Sequence, residues 1–98
     1  ALIGLIRSFK CFGGKTAIAS TARKENLMNA LKYLGIVDLF DLIYTGQDVE
    51  NGKPSPEIYD KTMAELQVQP SDTLIFEDSE VGLQAAKASG AYFIKITF

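Results

Sequence analysis

The chain has 98 residues, enough for one compact domain and too few for two. Hydrophobic residues make up 47% and charged residues 22%, an ordinary globular balance, and a net charge of −2 with no basic stripe argues against nucleic acid as a partner. There is no histidine and one cysteine, Cys11, which excludes Ser-His-Asp and Cys-His catalysis, histidine-built zinc sites and an internal disulfide; any chemistry rests on carboxylates, hydroxyls, lysines and a metal they hold.

In chain order, Leu2, Leu5, Ile6 and Phe9 follow the i, i+3, i+4, i+7 spacing of a helix face. The chain opens on Ala1, without an initiator methionine or a capping residue ahead of this helix, and reads as a chain entered in its middle. No signal-peptide pattern is present and no apolar run approaches bilayer-spanning length; with a lone thiol, the expectation is a cytoplasmic protein with no membrane partner. Gly13-Gly14 breaks the helix. Thr16-Ala17-Ile18-Ala19 is a short buried strand running into Ser20-Thr21. Leu27, Ala30, Leu31 and Leu34 line the next helix, with Gly35 where a C-terminal cap belongs. Val37 to Phe40 reads as a short helical turn, Leu42-Ile43-Tyr44 as a strand, and Gln47 to Ser55 as a polar loop. Ser55-Pro56-Glu57 is a helix start, with Ser55 as cap. Ile58, Tyr59, Thr62, Met63 and Leu66 form that helix's buried face. A strand over Thr73 to Phe76, a helix from about Ser79 to Ser89 ended by Gly90, and a strand over Tyr92 to Ile96 complete the order α-β-α-β-α-β-α-β. Such alternation predicts a Rossmann-like α/β fold, a parallel sheet with helices on both faces.

Chemistry-bearing residues fall at comparable places in this order. Ser20 and Thr21 end one strand, Lys53 follows the next, and Glu77 and Asp78 end a third. In a parallel sheet all three positions face one edge, where open α/β sheets bind ligands. Hydroxyls donate to phosphate oxygens, a lysine neutralises phosphate charge, and paired carboxylates suit Mg²⁺. Each residue also has a plainer reading. Ser20 or Ser79 caps a helix, Asp78 does the same, and Lys53 is an exposed loop lysine. Gly82 lies inside a helix, where glycine costs about 1 kcal/mol against alanine, and is kept where another backbone or a ligand comes close.

Three stretches carry a resemblance: Ala17-Ile18-Ala19-Ser20-Thr21, Gly52-Lys53-Pro54-Ser55-Pro56-Glu57-Ile58-Tyr59, and Ile75 through Gly90 with its Glu-Asp-Ser-x-x-Gly-x-x-Ala-Ala core. In order and residue type they resemble the second, third and fourth motifs of the haloacid dehalogenase superfamily, in its phosphatase and β-phosphoglucomutase-like branch. The resemblance implies that Ser20 binds the transferring phosphoryl group, that Lys53 steadies it, and that Asp78 with Glu77 serves Mg²⁺. Thr21 and Arg23 fall where relatives contact a second substrate phosphate. The implied activity is hydrolysis of a small phosphorylated metabolite through an aspartyl phosphate, with a β-phosphoglucomutase-type mutase as alternative.

The family's first motif, Asp-x-Asp, is absent: aspartates stand at 38, 41, 48, 60, 72 and 78. Residues 1–98 therefore read as part of a core domain, without the central nucleophile strand or the cap domain. Alone they would not turn over, and a non-catalytic interaction module is the reading from another class. A receiver-type signalling domain fits poorly, because its acidic pair would come first and its lysine last. The strands at Thr16 and Thr73 should lack a neighbour between them. That gap is expected to be filled by an N-terminal segment from elsewhere, to close on itself, or to pair two chains as a homodimer.

Overall fold

A computed structural model describes residues 2–97. Four helices, α1 (Leu2–Cys11), α2 (Lys24–Leu34), α3 (Glu57–Leu66) and α4 (Glu80–Ser89), alternate with four strands. The strands are β1 (Ala17–Ser20), β2 (Leu42–Thr45), β3 (Leu74–Glu77) and β4 (Tyr92–Lys95). This is the expected α/β order, with strand bounds displaced by a residue at several ends. The short turn after α2 is a 3-10 turn over Val37–Leu39.

The strands form two parallel pairs rather than one sheet. In the first, β1 lies beside β2 with Ser20 opposite Thr45; in the second, β3 lies beside β4 with Glu77 opposite Lys95. β1 and β3 face each other across a cleft without pairing, so of the three outcomes expected for the gap, closure of the two strands on each other is not what the chain does. Each inner strand is instead fixed by its outer partner and by the helix that covers it.

Helices hold the two pairs together. α3 packs on β1 and β2, α4 on β3 and β4, and α3 packs on α4. The core beneath the cleft is Ile58, Tyr59, Met63, Ile75, Ala85, Ala86 and Ala91. Ala85 and Ala86 are fully buried, so small side chains let α4 approach the sheet closely. Of the face expected for α3, Ile58, Tyr59, Thr62 and Met63 are buried while Leu66 is only partly so. α1 is different. No residue in it is buried and Leu5 and Phe9 stay exposed; it lies against the turn at Val37–Leu39 and is joined by an ion pair from Lys10 to Asp41, whose other oxygen accepts from the Thr16 backbone at 2.8 Å.

Local signals fixed most helix ends. Gly35 and Gly90 end α2 and α4 in the left-handed region, at φ 69° and 83°, where a Cβ is disfavoured. Ser79 caps α4, accepting from the Gly82 N–H at 3.1 Å, an interaction worth about 1 kcal/mol. Two expected caps differ. α3 begins one residue later than Ser55 allows: Pro56 takes the N-cap position with no side-chain bond to the helix, and Ser55 Oγ accepts only the Glu57 N–H, at 3.3 Å. Ser20 does not cap α2, which starts after Arg23; its Oγ accepts from the Ala22 N–H at 3.1 Å and closes a tight turn at the strand end.

Candidate functional site

The carboxyl ends of β1 and β3 open onto a cleft of about 420 Å³. Ser20 and Thr21 enter it from β1, Lys53 from the loop after β2, and Glu77, Asp78 and Ser79 from the end of β3. Arg23 does not line it; it stands exposed at the start of α2. A larger hollow of about 540 Å³ lies at the opposite ends of the strands, between Ser71–Leu74 and Tyr92–Ile94, and is mainly apolar.

Lys53 is not the exposed loop lysine of the plainer reading. Its side chain is 7% exposed, against 8% for Glu77, and the two pair at 2.8 Å. A second Nζ proton goes to the Ala19 carbonyl at 3.3 Å. An ammonium has three donors, so one remains for an acceptor in the cleft. Beneath it, the Tyr59 ring centroid lies 5.1 Å from Nζ, within cation–π range. The Lys53–Pro54 peptide is cis.

The loop that presents Lys53 is clamped by Glu57. Its carboxylate accepts from the Glu50 N–H at 2.8 Å and from the Asn51 N–H and Nδ2 at 3.1 Å each. The Glu50 amide, helped by those of Asn51 and by Lys61, holds the Glu57 carboxyl below its ordinary value of 4.5. A depressed carboxyl contributes stability above its unfolded value and loses it as pH falls through the folded one. The thermal-stability advantage of the native chain over a Glu57→Gln variant should therefore be full near neutral pH and shrink as pH drops below 4.5. A difference that does not change with pH would remove the clamp from the account.

Glu77 and Asp78 are neighbours in sequence and opposites in environment. Glu77 is buried and its two oxygens are engaged. Oε2 accepts from Lys53 and from the Tyr59 hydroxyl at 2.5 Å; Oε1 accepts from the Asp78 N–H at 3.0 Å and from the Ser79 N–H and Oγ at 3.3 Å each. Burial raises its pKa, but the bonds from Lys53 and Tyr59 outweigh that and hold it well below the usual carboxylate range. Burial, with the bond to Glu77, pushes the Tyr59 hydroxyl far up, so it remains a donor. Asp78 is exposed at the cleft.

This geometry tests the fit of the implied Mg²⁺. Among the described residues no three metal-ligating side chains cluster. Asp78 offers a free carboxylate; Glu77, expected beside it, has its lone pairs committed to Lys53, Tyr59 and the turn amides. A site with one protein carboxylate, completed by waters and substrate oxygens, is within the habits of Mg²⁺.

Two further residues shape the site. Tyr59, on the expected buried face of α3, also reaches the site through its hydroxyl. Gly82, whose place inside a helix suggests a close approach, meets the Glu77 side chain: a Cβ on Gly82 would run into its carboxylate. The signal available was spacing, since the first turn of a capped helix lies against the strand residue just before the cap.

The structure defines a class of parallel α/β protein that gathers hydroxyl, ammonium and carboxylate in a cleft at its strand ends. Within that class, a family model described as haloacid dehalogenase-like hydrolase matches residues 3–96, and the chain belongs to this family. The phosphorylated carbohydrates phosphatase of Thermotoga maritima is 38% identical over 76 residues, covering 78% of this chain and 35% of that protein. The β-phosphoglucomutase of Bacillus subtilis is 34% identical over 82 residues, 84% of this chain and 35% of that protein. Among solved structures, CbbY from Rhodobacter sphaeroides in complex with phosphate superposes at a TM-score of 0.87 with 35% identity, over 92% of this chain and 41% of that one. The chain thus spans well under half the length of each of these three proteins.

Proposed function

We propose that this chain is the phosphate- and metal-binding part of a Mg²⁺-dependent hydrolase that removes phosphate from a small phosphorylated metabolite through an aspartyl-phosphate intermediate. The observation that carries this is the meeting of Ser20, Lys53 and Asp78 at one cleft, with Lys53 buried on a counter-carboxylate yet keeping one donor. The Ser20 hydroxyl donates to a phosphoryl oxygen while its own oxygen is fixed by the Ala22 amide. Lys53 contributes its remaining N–H and its charge, in a setting where little water competes. Asp78 holds the metal, which when bound offsets negative charge on the phosphoryl oxygens. Thr21, at the cleft rim, takes part in phosphate binding; Arg23 reaches a substrate only through a group that extends beyond the cleft. Glu77 acts on Lys53 rather than as a metal ligand.

In this reading residues 1–98 are a partial core domain. The nucleophilic aspartate comes from sequence outside them, on a strand lying between β1 and β3, supplied by the same polypeptide or by a second copy. The 98 residues alone bind phosphate weakly and do not turn over. A phosphosugar mutase is the second reading, supported by the 34% identity to the Bacillus β-phosphoglucomutase; the same three residues would serve both reactions. The test is Asp78→Ala in the full-length enzyme, assayed on p-nitrophenyl phosphate across a Mg²⁺ titration. Mg²⁺-dependent turnover should fall by about 100-fold or more, in line with losing a group that stabilises transition-state charge. Turnover and Mg²⁺ response equal to the parent would refute the assignment.

A further inference from the structure

We infer that Tyr59 is a positioning residue for Lys53, acting on it from two sides at once; this rests on the phosphate-binding reading above. The first action is through the ring. Tyr59 is 5% exposed and anchored in the core with Ile58 and Met63, so its face is a fixed floor 5.1 Å below the ammonium. A flexible four-carbon side chain on a loop gains a defined end point from such a floor.

The second action is through the hydroxyl. Tyr59 Oη and Lys53 Nζ both donate to one atom, Glu77 Oε2, at 2.5 and 2.8 Å. A carboxylate paired with an ammonium cancels most of the field that the ammonium projects elsewhere. A second donor on the same oxygen draws part of that negative charge toward itself, and in a buried setting such effects are not screened by water. Tyr59 thereby leaves Lys53 more positive toward the cleft than the bare Lys53–Glu77 pair would. Gly82 completes the arrangement from the far side, because only the absence of a Cβ lets the carboxylate sit between helix and lysine.

The two actions separate by substitution. Tyr59→Phe keeps the ring and removes the shared hydrogen bond; Tyr59→Leu removes both. The probe is inorganic phosphate as a competitive inhibitor of p-nitrophenyl phosphate hydrolysis by the full-length enzyme with Mg²⁺, with melting temperature measured alongside. For Tyr59→Phe the inhibition constant for phosphate and the KM should rise together, roughly three- to tenfold, the effect of one ordinary hydrogen bond, because the lost bond acts on phosphate only through Lys53. Tyr59→Leu should raise both further, and Tyr33→Phe, at a ring that is 90% exposed, should change neither. Tyr59→Phe is nearly isosteric, so it decides the matter even where Tyr59→Leu does not fold. A Tyr59→Phe enzyme with a lower melting temperature but unchanged phosphate inhibition and KM overturns the inference and leaves Tyr59 as core alone. A parent enzyme that neither binds phosphate nor hydrolyses the substrate overturns the functional reading itself, and this inference with it.

Discussion

Lys53→Ala should lower turnover of the full-length enzyme by about 10²–10³-fold, the range for removing one group that stabilises charge in the transition state. The same substitution should also destabilise the fold by about 3–5 kcal/mol, because removing one member of a buried ion pair strands the other. The second effect follows from burial. Both side chains of the pair are under a tenth exposed. Without Lys53, the Glu77 carboxylate keeps Tyr59 and the turn amides but loses the one cation paired with it among the described residues. The two effects can be parted. Replacing a buried ion pair by uncharged groups of similar size is often close to neutral. Combining Lys53→Met with Glu77→Gln should therefore recover most of the lost stability and none of the turnover. Recovery of both would mean that Lys53 is structural only; recovery of neither would mean that the pair is not what stabilises this corner.

Gly82→Ala should be destabilising where helix propensity predicts a gain. Alanine inside a helix is ordinarily favoured over glycine by about 1 kcal/mol. At Gly82 the new methyl would run into the Glu77 carboxylate. Such an overlap is cheap when the obstructing group is loose, but the Glu77 carboxylate is held by Lys53, Tyr59, the Asp78 and Ser79 amides and the Ser79 hydroxyl. Moving it breaks several of these at once, at a cost of about 1–3 kcal/mol for each buried donor or acceptor left short of a partner. A net loss of about 2–4 kcal/mol is expected, with phosphate binding weakened because Lys53 loses its anchor. Gly4→Ala is the control. It is also a helical glycine, in α1, with nothing within 4 Å of the added atom. It should stabilise by up to about 1 kcal/mol. Denaturant unfolding of the two variants checks this, and a stabilised Gly82→Ala would contradict the picture of a fixed carboxylate.

The fold was legible because its signals are local. Apolar runs of strand length, the 3.6-residue stripe of α3, Ser79 before α4 and glycines after α2 and α4 each act within one turn of chain, and each holds in the structure. The open space between β1 and β3 was also legible, from the missing motif. What adjacent residues share was harder to divide. Glu77 and Asp78 look alike as a pair of acids, yet the strand alternates its faces: Ile75 and Glu77 are buried and Leu74 is exposed, with Asp78 exposed in turn. Period-two alternation carried one step past the apolar run separates the inward carboxylate from the outward one. Tyr59 was less accessible still. Its ring belongs to the core and its hydroxyl to the site, and only the packing of α3 on β1 and β2 and against α4 brings that hydroxyl to Glu77. The same holds for Lys53, whose burial depends on a loop folded back by Glu57.

The most direct test of the account is a crystal structure of the full-length enzyme with Mg²⁺ and phosphate bound. The predicted result has phosphate oxygens within hydrogen-bond reach of Lys53 Nζ and Ser20 Oγ, Asp78 on the metal, and Glu77 still bonded to Lys53 and Tyr59. Phosphate bound away from this cleft, or Glu77 released from Lys53 to ligate the metal, would contradict it.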